Sequence, residues 1–132
     1  MRVVAVVVGL AVVAVWFPLL AAGVASLRSR GRLGGSDVLI VTGPYAYVRH
    51  PLYAGLSMTA FGIGLIVGSW PLAVSGLGWL LVTRVWSIRE ERGLAERFGA
   101  EYTIYRQTTP GMIPKVGSLA RFRRGDDPRW PG

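Results

Sequence analysis

The sequence predicts an all-α integral membrane protein of a single domain, residues 1–132, with about three transmembrane helices. These are one N-terminal span and a helical hairpin, followed by a cytoplasmic C-terminal helix and a polar tail. Three observations carry that expectation. Two long stretches, Val3 to Leu27 and Pro51 to Thr83, hold no charged residue; a turn signal splits the second; and arginines gather after each stretch but not at the split. The hydrophobic fraction of 52% and a mean hydropathy of +0.42 agree with a chain that meets lipid.

The first span is placed at residues 3–27. A helix of that length, rising ~1.5 Å per residue, crosses a ~30 Å hydrocarbon core with room to tilt. Pro18 is expected to kink it. The run exceeds the usual apolar region of a cleaved leader, and only Arg2 precedes it, which favours a span over a signal peptide. The second stretch is too long for one crossing, and "GSWP" (Gly68 to Pro71) marks a turn within it. Two short helices, about 52–68 and 71–87, therefore form the hairpin at 52–87. Gly62, Gly64 and Gly68 provide small residues for close helix approach, which is compatible with self-association into a homo-oligomer.

Charge orients the chain. Arg28, Arg30, Arg32 and Arg49 follow the first span; Arg84, Arg89, Arg92 and Arg97 follow the hairpin; its tip carries none. By the positive-inside rule both basic segments, 28–51 and the helix at 88–107, face the cytoplasm. This topology accounts for most of the net charge of +8, so no nucleic-acid partner is expected. The absence of cysteine removes disulfides, thiolate metal sites and a cysteine nucleophile, and one histidine argues against a protein-only zinc site. The tail, 108–132, contains "TTPGMIPK" and "RFRRGDDPRWPG"; it lacks periodicity and is assigned no chemistry.

Three polar segments thus converge at one face. "GPYAYVRHPLYAG", Gly43 to Gly55, holds the only histidine, with Gly43-Pro44 opening a turn and His50-Pro51 forcing extended geometry before a new helix. Its bland reading is an interfacial aromatic belt of Tyr45, Tyr47 and Tyr53 with Arg49 on lipid phosphates. A small pocket at the membrane edge would need the same residue types. Arg84, Glu90 and Glu91 stand where a helix should leave the bilayer, and ionisable groups there are costly unless they serve a site or reach headgroups.

"GPYAYVRHPLYAG", with "REE" and "FGAEYTIY" downstream, resembles the isoprenylcysteine carboxyl methyltransferase and phospholipid N-methyltransferase superfamily, over roughly residues 40–115. The resemblance implies methyl transfer from S-adenosylmethionine to a lipophilic small molecule or lipid at the cytoplasmic membrane face. It places Tyr45, Arg49, His50, Pro51, Tyr53, Gly55 and Glu91 in the cofactor pocket, Glu90 at the methyl-transfer site, and Arg84 at the substrate end. It also implies that the hairpin forms an intramembrane slot for an apolar acceptor. No metal is implied. The chain departs from the family's V-P-R-x-x-P-like segment, since Gly111 stands where the arginine would be.

Two other readings stay open at this point. Membrane sterol reductases share a related motif with a nicotinamide cofactor, but Leu52 and Leu56 replace the asparagine and acid of that version. A non-enzymatic basic membrane protein would need only charge and hydrophobicity. The topology itself is testable: Ser69→Cys and Ser118→Cys variants are expected to react with an impermeant thiol reagent from opposite sides of the membrane, and labelling from one side would refute three spans.

Overall fold

The computed structural model describes residues 1–30, 39 and 43–113. Residues 31–38 and 40–42 of the expected basic segment, Arg32 included, and the tail from residue 114, Ser118 included, lie outside them. The described chain contains four α-helices and one 3₁₀ turn, and no strand among the described residues. They are α1 (Arg2–Arg30), a 3₁₀ turn at Gly43–Ala46, α2 (Pro51–Val67), α3 (Trp70–Phe98) and α4 (Ala100–Thr108).

α1 runs unbroken through Pro18. Its outward residues, among them Val3, Val7, Leu10, Val15 and Phe17, are exposed apolar side chains, the pattern of a helix surrounded by lipid. α2 starts at Pro51 because a proline lacks the N–H that a first helical residue has no use for, and its fixed φ suits that position. His50 ahead of it adopts φ −126° and ψ 63°, outside the helical region, as a residue before proline must. α2 ends at Gly68, whose φ of 73° is left-handed and whose N–H bonds to the Gly64 carbonyl. Pro71 then sits in the first turn of α3, so the "GSWP" turn falls where its residue types place it.

Two helices, α1 over Arg2–Ser26 and α3, are long and apolar enough to cross a membrane. α2 is shorter, its 17 residues rising about 25 Å. The helix expected at 88–107 is divided at Gly99, and its first part is the end of α3. α3 continues to Phe98, because nothing between Thr83 and Phe98 interrupts it except Gly93, which a helix tolerates at a cost of about 1 kcal/mol. The break comes at Gly99, with φ 56° and ψ −123°, and α4 follows as a separate short helix.

α2 lies between α1 and α3 and presents a small-residue stripe to each. Toward α1, Gly62 meets Gly9 so closely that a Cβ on either would press on the other's carbonyl oxygen. Gly55 meets the backbone of Leu20 in the same way. Toward α3, Gly64 faces the backbone of Ala73, and Gly76 faces Ser57 and Phe61. Small residues let backbones approach where lipid supplies no hydrophobic drive for association. A cavity of about 630 Å³ lies at the hairpin-turn end, lined by Met1, Val4, Val8, Leu65, Trp70 and Ala73.

The third face of α2 is left open. Tyr53, Leu56, Ile63 and Val67 fall on one helical stripe, and Leu56, Ile63 and Val67 are exposed. Gly76→Leu would drive a side chain into Phe61 N at 2.7 Å and Ser57 O at 2.8 Å. We expect it to lower stability in detergent by at least ~1–3 kcal/mol, seen as a reduced thermal midpoint. Gly78→Leu, on the same helix with nothing within 4 Å of its Cβ, is expected to leave the midpoint unchanged or raise it.

Candidate functional site

The site is built from the residue types that the local folding already demands. The 3₁₀ turn at Gly43–Ala46, with Gly43 at φ 67°, buries Pro44 and Tyr45 and leads Tyr47 and Val48 inward. Arg49 and His50 follow in irregular backbone and are held from the other side. The Arg49 N–H donates to Pro110 O at 2.9 Å and the His50 N–H to Gly111 O at 3.0 Å. The stretch after α4, to which the sequence reading gave no role, is thus a backbone clasp on the motif. Gly111 fits there because a Cβ would lie 3.2 Å from Arg49 Nη2.

From α3, Glu90 and Glu91 enter side by side and do different things. Glu91 is buried at 5% exposure on the helix face that also buries Ala73, Gly76, Thr83 and Ser87. Its Oε1 accepts from His50 Nε2 at 3.0 Å and pairs with Arg49 Nη2 at 3.0 Å, while Oε2 lies 3.7 Å from Arg106 Nε. A carboxylate accepting from Nε2 sets the tautomer with the proton on that nitrogen. Glu90 is turned partly to solvent, with 34% of its side chain exposed. Its Oε2 accepts from the Tyr53 hydroxyl at 3.2 Å and stands 4.0 Å from His50 Nδ1. The His50 and Tyr53 rings stack with centroids 5.8 Å apart.

α4 completes the site. Its inner face, Tyr102 and Tyr105, packs with Leu39 against Leu94, Ala95 and Phe98. The Tyr105 hydroxyl donates to Tyr45 O at 2.7 Å, and Arg49 Nη1 donates to Arg106 O at 2.9 Å. Burial, with Glu90 nearby, pushes the Tyr45 phenol up to about 12. Burial and Glu91 push Tyr102 up to about 12 against the opposing pull of Arg49 and Arg106, and burial raises Tyr105 further. All three therefore remain neutral hydrogen-bond donors at physiological pH.

Of the residues picked from sequence, Tyr45, Arg49, His50, Tyr53, Glu90 and Glu91 come together here. Pro51 is buried beside them as the start of α2. Gly55 lies at the contact with α1, where a Cβ would press on Leu20. Arg84 is exposed on α3, and its Nη1 donates to the Ser87 hydroxyl at 3.3 Å. Tyr102, Tyr105 and Arg106 were missed. The signal was present in "EYTIYR", where i, i+3 tyrosines share a helix face, but nothing in the sequence said which surface that face would meet.

The residues can be tested against the methyl donor that the motif implies. An amino-acid sulfonium nucleoside carries an ammonium, a carboxylate, ribose hydroxyls and a cationic sulfur. The cluster offers an open carboxylate on Glu90, stacked aromatic rings, and buried polar atoms without a partner among the described residues: the Tyr45 and Tyr102 hydroxyls and Arg49 Nε. Buried polar atoms are almost always satisfied, so a group that supplies partners fits. No set of three or more metal-ligating side chains occurs among the described residues.

A charged and aromatic cluster at one end of an apolar helical layer defines a small membrane-type helical protein with a polar site at its rim. The chain belongs to the phospholipid methyltransferase family, whose family model matches residues 4–101. It is 38% identical over 97 residues to a protein-S-isoprenylcysteine O-methyltransferase of Schizosaccharomyces pombe, covering 70% of this chain and 38% of that one. It is 34% identical over 88 residues to methanethiol S-methyltransferase 2 of Bradyrhizobium diazoefficiens, covering 66% of this chain and 32% of the relative. It is also 32% identical over 82 residues to the cobalt-zinc-cadmium resistance protein CzcN of Cupriavidus metallidurans, covering 61% and 38%. The chain spans about a third of the length of these relatives. No solved structure matches it significantly.

Glu91→Ala would strand Arg49 and His50 in a buried place, and we expect it to destabilise the fold by ~3–5 kcal/mol. The double variant Arg49→Met/Glu91→Leu, which removes both charges, should recover most of that loss in thermal unfolding. Equal destabilisation by the single and double variants would refute a buried charge pair.

Proposed function

We propose that this protein transfers a methyl group from S-adenosylmethionine to a hydrophobic, membrane-embedded acceptor at the cytoplasmic face of a membrane. The observation that carries the reading is the division of labour between adjacent glutamates on α3. Glu91 is enclosed by Arg49 and His50 and is structural in effect, whereas Glu90 is open and faces Tyr53 and His50. Two carboxylates one residue apart with such different surroundings mark a scaffold group and a working group.

The donor supplies an activated methyl on sulfur when bound. The chain's contribution is to hold and orient. Glu90 presents a carboxylate for the donor's positive charge, and the ring of Tyr53 offers a face for a cationic centre, an attraction of roughly 0.5–2 kcal/mol. The Tyr45 and Tyr102 phenols, kept neutral by burial, hold their protons as donors for a polar ligand. His50, fixed by Glu91 through Nε2, keeps Nδ1 turned toward Glu90. Bringing two reactants together in a set orientation is the main demand of an in-line displacement, and it needs no triad.

The acceptor class follows from α2. Tyr53 lies on the same stripe as Leu56, Ile63 and Val67, which face outward between α1 and α3. An apolar molecule moving along that stripe from the bilayer reaches the Tyr53–Glu90 pair from the lipid side. Arginines near the site, Arg89, Arg92, Arg97 and Arg106, favour its placement at the cytoplasmic surface with α1, α2 and α3 all spanning. The related names support a carboxylate or a thiol acceptor; an amine fits the same stripe.

Calorimetric titration of the detergent-purified protein is expected to show binding of S-adenosylmethionine and S-adenosylhomocysteine but not NADPH. His50→Ala and Glu90→Gln are each expected to weaken that binding at least tenfold. A folded wild-type protein that binds neither sulfur compound would overturn the proposal, and binding of NADPH alone would replace it with a reductase.

A further inference from the structure

Arg106 is unlike the other cation of the cluster. Arg49 is nearly buried; its Nη2 is on Glu91 and its Nη1 on the Arg106 carbonyl. The Arg106 side chain is 62% exposed and touches Glu91 only through Nε at 3.7 Å, longer than a hydrogen bond. Its two terminal nitrogens have no partner among the described residues. Glu91 does not need it, because Oε1 already lies 3.0 Å from both Arg49 and His50.

Glu90 and Arg106 stand at opposite ends of one run of contacts, Glu90–His50–Glu91–Arg106. They are its two part-exposed members, and their charges are opposite. In the same cluster lie buried polar atoms with no partner among the described residues, the Tyr45 and Tyr102 hydroxyls and Arg49 Nε. An open anion and an open cation flanking unsatisfied donors match a zwitterion. An α-amino acid carries its ammonium and carboxylate a few ångströms apart, and the guanidinium fork takes a carboxylate through two parallel hydrogen bonds.

We infer that Arg106 binds the α-carboxylate of the cofactor's amino-acid portion, with Glu90 taking its ammonium. This assignment rests on the proposed use of S-adenosylmethionine and adds a residue that the sequence motif did not include. It also assigns a purpose to the free guanidinium at the C-terminal end of α4. Swapping the Arg106 side chain leaves its backbone carbonyl as the acceptor for Arg49, so the clasp on the motif survives.

The test compares two ligands that share the thioether nucleoside and differ in the amino-acid portion. S-adenosylhomocysteine carries it; 5′-methylthioadenosine does not. Arg106→Ala is expected to weaken S-adenosylhomocysteine binding at least tenfold while leaving 5′-methylthioadenosine within twofold of wild type. Arg106→Lys should fall between, since a point charge replaces the fork. Thermal midpoints in detergent establish that each variant is folded. Equal losses for both ligands would show that Arg106 acts only by steadying Glu91 and would overturn the assignment, as would unchanged binding of both. A wild-type protein that binds neither ligand would instead bring down the proposed function on which this rests.

Discussion

The buried carboxylate of Glu91 is the point on which the site depends. From α3 it pairs with Arg49 and His50 of the motif before α2, and Arg49 in turn bonds the Arg106 carbonyl of α4. A charge taken out of water is tolerated only with close partners, so the requirement to satisfy Glu91 fixes where those segments sit relative to one another. The backbone bonds from Arg49 and His50 to Pro110 and Gly111 repeat the same connection without charge. Removing one set leaves the other, but only the ionic set decides which way the Arg49 and His50 side chains face.

The helical layer beneath it works by a different economy. In lipid, apolar side chains gain little by meeting one another, so contact must come from backbone proximity. Gly9 against Gly62, Gly55 against Leu20, Gly64 against Ala73 and Gly76 against Ser57 provide it. The consequence is that α2, though only 17 residues long, is held from both sides and its first turn is positioned firmly. That turn carries Tyr53, so packing deep in the layer sets the geometry at the rim. Closing the two flanks also leaves one open stripe on α2, and it ends at Tyr53.

Adjacent residues of one helix point about 100° apart, which is how Glu90 and Glu91 come to differ. The direction of α3 against α2 decides which becomes the enclosed anchor and which the open carboxylate. With Glu91 on the Ala73–Ser87 face, Glu90 turns toward Tyr53.

Much of the architecture was legible in the sequence, because it depends on local chemistry. Uncharged length marks helices, Pro51 and Pro71 mark helix starts, Gly68 marks a stop, and "RHP" with a later Glu pair marks the site. The limits came where distant segments meet. The motif picked out Gly55 as cofactor wall, but only the approach of α1 shows that its space is occupied by Leu20. Arg84 looked like a site residue by its place near the end of an apolar run, and in the fold it is exposed, with its Nη1 on the Ser87 hydroxyl one turn along. Tyr102, Tyr105, Arg106 and the clasp at Pro110–Gly111 could not be assigned from sequence, since their meaning is a contact across some 60 positions of chain. The sequence by itself determined which residue types gather at the polar end of the helical layer. The tertiary structure alone decided which are enclosed and which are open, because burial is a property of the surface each side chain meets.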